Sequence, residues 1–143
     1  MGITKKTEYA LRALLEIAES ENEKPVSRKY ISRKQNISEH FLERILVDIL
    51  KADITRSVRG PGGGFFLNKK PGDISVWDVY SAVEKKKYLY GKCVQISNNE
   101  CELYTQCKTK YIWPKINQSF KETTESISLS DISQNNFHRE VKK

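Results

Sequence analysis

The sequence predicts a mainly α chain with a small β wing: a winged helix-turn-helix followed by a long C-terminal dimerisation helix. Three observations carry that reading. A serine preceded by an apolar residue, with a second apolar residue four positions later, recurs at Val26-Ser27-Ile31, Ile37-Ser38-Leu42, Ile74-Ser75-Val79 and Ile127-Ser128-Ile132. Each set joins an N-cap hydroxyl to a hydrophobic staple. The apolar period then changes from 3.6 to about 2 after residue 52. Finally, Gly60-Pro61-Gly62-Gly63-Gly64 separates two short apolar runs, and no helix or strand interior tolerates such a stretch.

The elements follow in order. A first helix from about Lys5 to Ser20 shows one apolar face at Ala10, Ala13, Leu14, Ile17 and Ala18. A polar loop from Glu19 to Pro25 leads to a short helix that starts at Ser27 and stops near Gln35, with Asn36 as the turn residue. The third helix starts at Ser38 and runs to about Ala52, its buried stripe being Leu42, Ile45, Leu46, Ile49 and Leu50. Ile54 to Val58 reads as a strand, and Phe65 to Leu67 as the returning strand of the wing.

Beyond the wing, a helix starts at Ser75 and runs to about Glu84; Asp78 and Asp131 stand at N3 of their helices, where a carboxylate suits the helix dipole. Lys85 to Lys87 reads as a solvated helix end, and residues 88–107 as a loop. A long helix is expected between about Thr109 and Glu125, with Pro114 in its first turn or at a kink. Ile112, Ile116 and Phe120 recur every four residues along it. The winged domain does not need this helix for its core. Its uncovered apolar face predicts a partner helix, most simply a second copy of the chain in a two-fold dimer. The expected organisation is a DNA-binding domain at 1–73, a cysteine-loop and dimerisation region at 74–133, and a flexible tail at 134–143.

Length and composition bound what such a chain does. Its 143 residues fit one domain of ordinary size, or a small domain with an appendage, and 38% hydrophobic with 30% charged residues is a globular composition. No apolar run approaches the roughly 20 residues of a membrane span, and charge interrupts the apolar N-terminus, so a soluble, cytoplasmic protein is expected. The net charge is +7, and residues 24–70, with 11 basic and 4 acidic side chains, carry the same excess alone. Such a block suits a polyanion or a plain solvated surface. No Ser-His-Asp order, HExxH or suitably paired carboxylates appear, so an enzyme is not expected.

The polyanion that fits a helix-turn-helix is double-stranded DNA, with the helix from Ser38 entering the major groove start first. Glu39, His40, Glu43 and Arg44 face outward there, and Arg44 can donate two hydrogen bonds to a guanine edge. His40 is a candidate to read a base or meet a phosphate, the alternatives being a plain exposed helix residue and a cofactor ligand. Ser27, Arg28 and Lys29 open the preceding helix, where amides and cations suit a phosphate. Arg56 and Arg59 flank the wing tip, and with Gly62 and Gly63 they form a flexible cationic loop for a minor groove or its phosphates. The glycines lack the GxxxxGK[ST] spacing of a nucleotide-binding loop.

Three cysteines, Cys93, Cys101 and Cys107, fall within 15 residues, spaced x7 and x5. An odd number cannot all pair internally. The spacing lacks the close ligand pairs of zinc sites and the CxxC of redox motifs. It suits a loop wrapped around an iron–sulfur cluster, while reactive thiols, zinc and structural thiols remain alternatives.

Five segments resemble the IscR/NsrR-type family of small winged-helix repressors: TKKTEYALRALLEIA at 4–18, ISRKQNISEHFLERIL at 31–46, ITRSVRGPGGGFFL at 54–67, ISVWDVYSAVE at 74–84 and ISLSDI at 127–132. The resemblance covers residues 1–132 and implies a homodimeric DNA-binding repressor with a major-groove helix, a wing and a dimerising helix bearing Ile112, Ile116 and Phe120. It also implies that Cys93, Cys101 and Cys107 hold a cluster, 4Fe–4S rather than 2Fe–2S, that senses nitric oxide, redox or iron status. The first spacing is x7 here, where many members have x5. One branch of the family supplies a histidine three residues after the third cysteine; Lys110 stands there and, as a donor-only cation, is no ligand. Another branch uses a carboxylate from the first helix of the other subunit, and Glu8 occupies that position. The alternative function is a cluster-free regulator acting through thiol oxidation or a protein partner.

Overall fold

The computed structural model describes residues 2–20, 24–85 and 101–139. In order these form α1 (Lys5–Ala18), α2 (Arg28–Gln35), α3 (Glu39–Lys51), β1 (Thr55–Val58), β2 (Gly64–Leu67), α4 (Val76–Glu84), α5 (Ile112–Glu125) and α6 (Leu129–Ser133). The two strands form one antiparallel ladder with Thr55 opposite Leu67 and Val58 opposite Gly64. This is a winged helix-turn-helix.

Each serine-marked helix start is capped as its sequence predicts. Ser27, Ser38, Ser75 and Ser128 accept hydrogen bonds from the amides of Tyr30, Phe41, Asp78 and Asp131. At Ser75 and Ser128 the aspartate carboxylate reaches back to the cap's own amide, closing a capping box. Such a cap contributes about 1 kcal/mol and, more usefully here, fixes where a helix begins. Asn36 adopts the left-handed conformation that turns α2 into α3.

One apolar core spans the chain. Ala10, Leu14 and Ile17 of α1 meet Ile31 of α2, Leu42, Ile45 and Ile49 of α3, Val79 and Val83 of α4 and Leu129 of α6. Ile74 belongs to the same cluster, so the core runs straight across the expected boundary between residues 73 and 74. The starts of α4 and α6 are also joined, since Val76 donates to Ile127 and Leu129 to Ile74, both at 2.9 Å. The last helix thereby closes on α1.

The wing is tied back to α2. Val26 and Phe65 exchange both backbone hydrogen bonds at 2.9 Å, extending the ladder by one bridge. A Cβ on Gly64 would stand 2.4 Å from the Val26 carbonyl oxygen, so only glycine permits this approach.

Two expectations need correction. Leu50 is 38% exposed, whereas Asp48, two residues earlier on α3, is buried. Leu50 lies at the stripe's edge, beside Phe65 and Ser57 of the wing. Lys85 does not merely end a helix in solvent: it pairs with Asp48 at 3.0 Å. After α6, residues 136–139 form a 3-10 turn.

The long helix α5 begins at Ile112, which puts Pro114 in its first turn. It is not uncovered on every side. Phe120 stacks edge-on against Tyr80 and Trp77 of α4, with ring centroids 5.1 and 6.1 Å away. The inward stripe is Trp113, Asn117, Phe120 and Thr124, of which Asn117 and Thr124 are buried polar residues bonded to carbonyls of their own helix. Ile112 and Ile116 point away, 50% and 38% exposed. Steps of four residues drift about 40° around a helix, so Phe120 stands on a different face from Ile112.

Candidate nucleic-acid interface

The capped start of α3 presents Glu39, His40, Glu43 and Arg44, all exposed. Ser38 spends its acceptor on the Phe41 amide at 3.3 Å, and Ser27 on the Tyr30 amide at 3.1 Å. The start of α2 therefore stands beside α3 with its orientation set. Lys29 is exposed there. Arg28 is not free: its Nη1 lies 2.9 Å from Glu43 and its Nε 3.7 Å from Glu39. Two carboxylates of α3 thus partly neutralise a cation expected to meet phosphate.

On the wing, Arg56 and Arg59 are exposed, and Arg56 lies over the Phe66 ring at 4.9 Å. The tip closes through a hydrogen bond from the Gly63 amide to the Gly60 carbonyl at 2.9 Å. Gly60 and Gly62 both adopt positive φ, of 100° and 73°. Gly62 and Gly63 share a groove with Ser27, Tyr30 and Lys34 of the α2 region. A second groove joins Arg28, Lys29 and Glu43 to Ser57 and Phe65. The cap of α2, the start of α3 and the wing therefore form one continuous surface.

Behind that surface lies a charge cluster that sequence reasoning missed. Lys6 donates to Asp48 at 2.5 Å and to the Val83 carbonyl at 2.7 Å. Glu84 accepts from the Thr4 and Thr7 hydroxyls, each at 2.6 Å. Burial raises the carboxyls of Asp48 and Glu84, but bonds from Lys6 and Lys85 to the first, and from Thr4 and Thr7 to the second, outweigh it and hold both below their ordinary values. The available signal was a lone acid inside the apolar run ILVDIL at 45–50.

The cysteine segment is partly described. Cys93, like Lys86 and Lys87, lies outside the described residues. Cys101 and Cys107 are free, half-buried thiols on the turns that lead into α5. The Thr109 hydroxyl, 3.3 Å from the Cys107 sulfur, and the Thr109 amide hold that thiol below its ordinary value, with the Lys110 amide and charge adding to the effect. Lys110 donates to the Tyr104 carbonyl at 2.8 Å and lies over the Tyr104 and Tyr111 rings, so it braces these turns. Glu8, exposed on the first turn of α1, pairs with Lys5 at 3.3 Å and Arg12 at 3.5 Å. Among the described residues no three His, Cys, Asp or Glu side chains converge on one point. The donor chemistry fits an iron–sulfur cluster, since thiolates are the ligands such clusters take.

No helix among the described residues is long and apolar enough to cross a membrane. A family model described as "Rrf2: Iron-dependent Transcriptional regulator" matches residues 3–135. The HTH-type transcriptional regulator IscR of Aliivibrio salmonicida is 34% identical, over 99% of this chain and 82% of that protein. The regulator of the same name from Xenorhabdus nematophila is 33% identical, over 94% and 80%. Among solved structures, T. potens IscR superposes with a TM-score of 0.73 at 29% identity, covering 100% of this chain and 93% of that one. CymR, the global cysteine regulator of B. subtilis, gives a TM-score of 0.75 at 27% identity, covering 94% and 98%.

Proposed function

This chain belongs to the Rrf2 family of transcription regulators, a non-enzymatic, DNA-binding class, and on that premise we propose that it is a cytoplasmic homodimeric repressor whose operator affinity is set by a 4Fe–4S cluster. The observation that carries the sensing role is the pair of free thiols, Cys101 and Cys107, on turns running directly into α5. Together with Cys93 they supply three thiolates, and Glu8 of the partner subunit supplies a carboxylate. A bound cluster would provide a centre labile to nitric oxide, oxygen or iron loss. A carboxylate is a harder donor than a thiolate, so Glu8 would be the weakest of the four ligands. Without it, the first helix of one subunit would no longer be tied to the cysteine segment of the other.

On the DNA side, Arg44 reads a base edge from the major groove and His40 stands beside it. Ser27 and Lys29 hold phosphates at the start of α2, where the helix dipole favours an anion, while Arg28 stays paired with Glu43 and Glu39 beside them. Arg56, Arg59 and the Gly62–Gly63 tip follow the minor groove. Ile112 and Ile116, exposed in one chain, form the dimer seam, while Phe120 anchors α5 to α4 behind it.

The test is anaerobic purification and reconstitution with iron and sulfide, followed by iron and sulfide analysis and operator binding with and without the cluster. A brown protein with about four irons per chain, as a 4Fe–4S cluster requires, and with two different operator affinities is expected. Substituting Cys93, Cys101 or Cys107 should abolish the colour. A colourless wild-type protein with three titratable thiols would instead favour regulation by thiol oxidation, to which the acidified Cys107 is suited.

A further inference from the structure

Two parts of the chain would feel the state of the cysteine segment: the start of α1, which carries Glu8, and the end of α4, which leads into residues 86–107. Both are tied to α3 at a single carboxylate. Lys6, two residues from Glu8, donates from one ammonium to Asp48 and to the carbonyl of Val83 in the last turn of α4. Lys85 ends α4 in the left-handed conformation, at φ 55°, and its ammonium returns to the other Asp48 oxygen at 3.0 Å. Glu84, between them, accepts from Thr4 and Thr7, so the end of α4 and the start of α1 move as one piece. Asp48 lies one turn after Arg44 on α3, and both line the same cleft as Lys6 and Lys85.

A helix–helix contact made only for stability would be apolar here. The Asp48 side chain is 9% exposed, and a well-packed apolar residue would avoid its desolvation cost. The left-handed lysine adds backbone strain that a glycine would not carry. Buried charge pairs are best attested where they set register between elements. Resting on the cluster reading above, we propose that Asp48 is a positioning residue: it transmits displacement of the α1 start and the α4 end, through Lys6 and Lys85, to the α3 surface that carries His40 and Arg44.

The experiment compares wild type, Asp48→Asn and Lys85→Met, each anaerobically, cluster-free and after iron–sulfide reconstitution. Operator affinity and amide hydrogen exchange are measured in both states. In wild type, reconstitution should change operator affinity and should alter exchange in α1, α4 and α3 together. In Asp48→Asn the two affinities should become equal, and the exchange difference should persist in α1 and α4 while vanishing in α3. The lost negative charge strengthens phosphate attraction in both states, so it cancels in the ratio. Lys85→Met removes one arm at a side chain 68% exposed, with little risk to folding, and should shrink the affinity ratio without erasing it. A wild-type ratio in either variant would overturn the proposal, because a merely structural contact lowers both affinities alike. A wild-type protein that takes up no iron would overturn the cluster reading and this coupling together, and would show itself as colourless before any variant is compared.

Discussion

Arg28 and Glu43 face each other across the helix-turn-helix at 2.9 Å, the first residue of α2 against an exposed carboxylate of α3. The pair holds α2 against α3, but it also places a negative charge on the surface offered to DNA. Both side chains are substantially exposed, so the pair adds little stability. Its effect belongs to binding. Replacing Glu43 with Gln should release Arg28 to a phosphate and remove a repulsive charge. Affinity for random DNA should rise, and the slope of log affinity against log salt should steepen by about 0.9, one released counterion. Filter binding over a salt series decides it; an unchanged slope would show that Arg28 reaches no phosphate even when freed.

Arg44 and Arg59 should behave differently from one another. Arg44 stands on the exposed side of α3 and, unlike Arg28, makes no ion pair among the described residues. Arg44→Ala should weaken operator binding by about 1–3 kcal/mol and leave random DNA nearly unaffected. Arg59, on the wing, should lose affinity for both DNAs equally and flatten the salt slope. Equal losses on operator and random DNA for Arg44 would refute its base-reading role.

The helix starts were legible because a cap is a local device: one hydroxyl, one amide three residues on, and an apolar pair around them. Ser27, Ser38, Ser75 and Ser128 could be read without knowing where the chain goes next. The wing was legible for a similar reason, since a run of glycines excludes both periodic structures. What periodicity misplaced was the direction of side chains at the edges of stripes. Leu50 and Phe120 each sit one helical step off the face assigned to them, and only the neighbouring wing and α4 decide which way such a residue turns. Long-range charge was legible only as the lone acid in ILVDIL, which marks Asp48 but not its partners. Nothing in the spacing of Lys6, Asp48 and Glu84 announces that three elements bring them together. Of the cysteines, Cys101 and Cys107 are placed on turns before α5, and Cys93 lies outside the described residues.

The exposed isoleucines of α5 offer a clean separation of folding from association. Ile116 is 38% exposed in the single chain, so Ile116→Glu should leave the monomer's melting temperature nearly unchanged. In a two-fold seam the same carboxylate would be buried against apolar surface without a partner, which is costly. The variant should therefore sediment as a monomer and lose operator affinity steeply, since two half-sites no longer bind as one. Phe120→Ala should do the reverse. It removes the half-buried ring packed on Tyr80 and Trp77, and should lower fold stability by less than the roughly 3–5 kcal/mol that a fully buried phenylalanine costs. Wild-type protein that sediments as a monomer at micromolar concentration would overturn the dimer.

Acid should loosen the α1–α3–α4 junction before the rest of the core. The carboxyls of Asp48 and Glu84 both titrate below their ordinary values of 3.8 and 4.5 in the folded chain. A carboxylate held low in the folded state binds fewer protons there than when unfolded, so the unfolded chain is favoured as protons are added. The stabilisation is complete above the ordinary values and is lost as the pH falls through the lower folded ones. The groups facing Asp48 are the ammoniums of Lys6 and Lys85, with Glu43, Arg44 and Lys51 lining the same cleft. Protonating Asp48 therefore leaves two ammoniums beside a neutral acid, and Lys6 keeps only the Val83 carbonyl. In urea titrations between pH 6 and pH 3, wild-type stability should hold steady down to about pH 5 and then fall, as carboxylates begin to protonate. Asp48→Asn should start lower, by about 1–2 kcal/mol at pH 6, the usual loss when a hydrogen bond to a charged group is weakened. It should also fall less steeply, having one fewer low carboxyl to protonate. Parallel curves for wild type and Asp48→Asn would show that Asp48 does not titrate low in the fold, and that its pairing with Lys6 and Lys85 is too well screened to hold the three helices together.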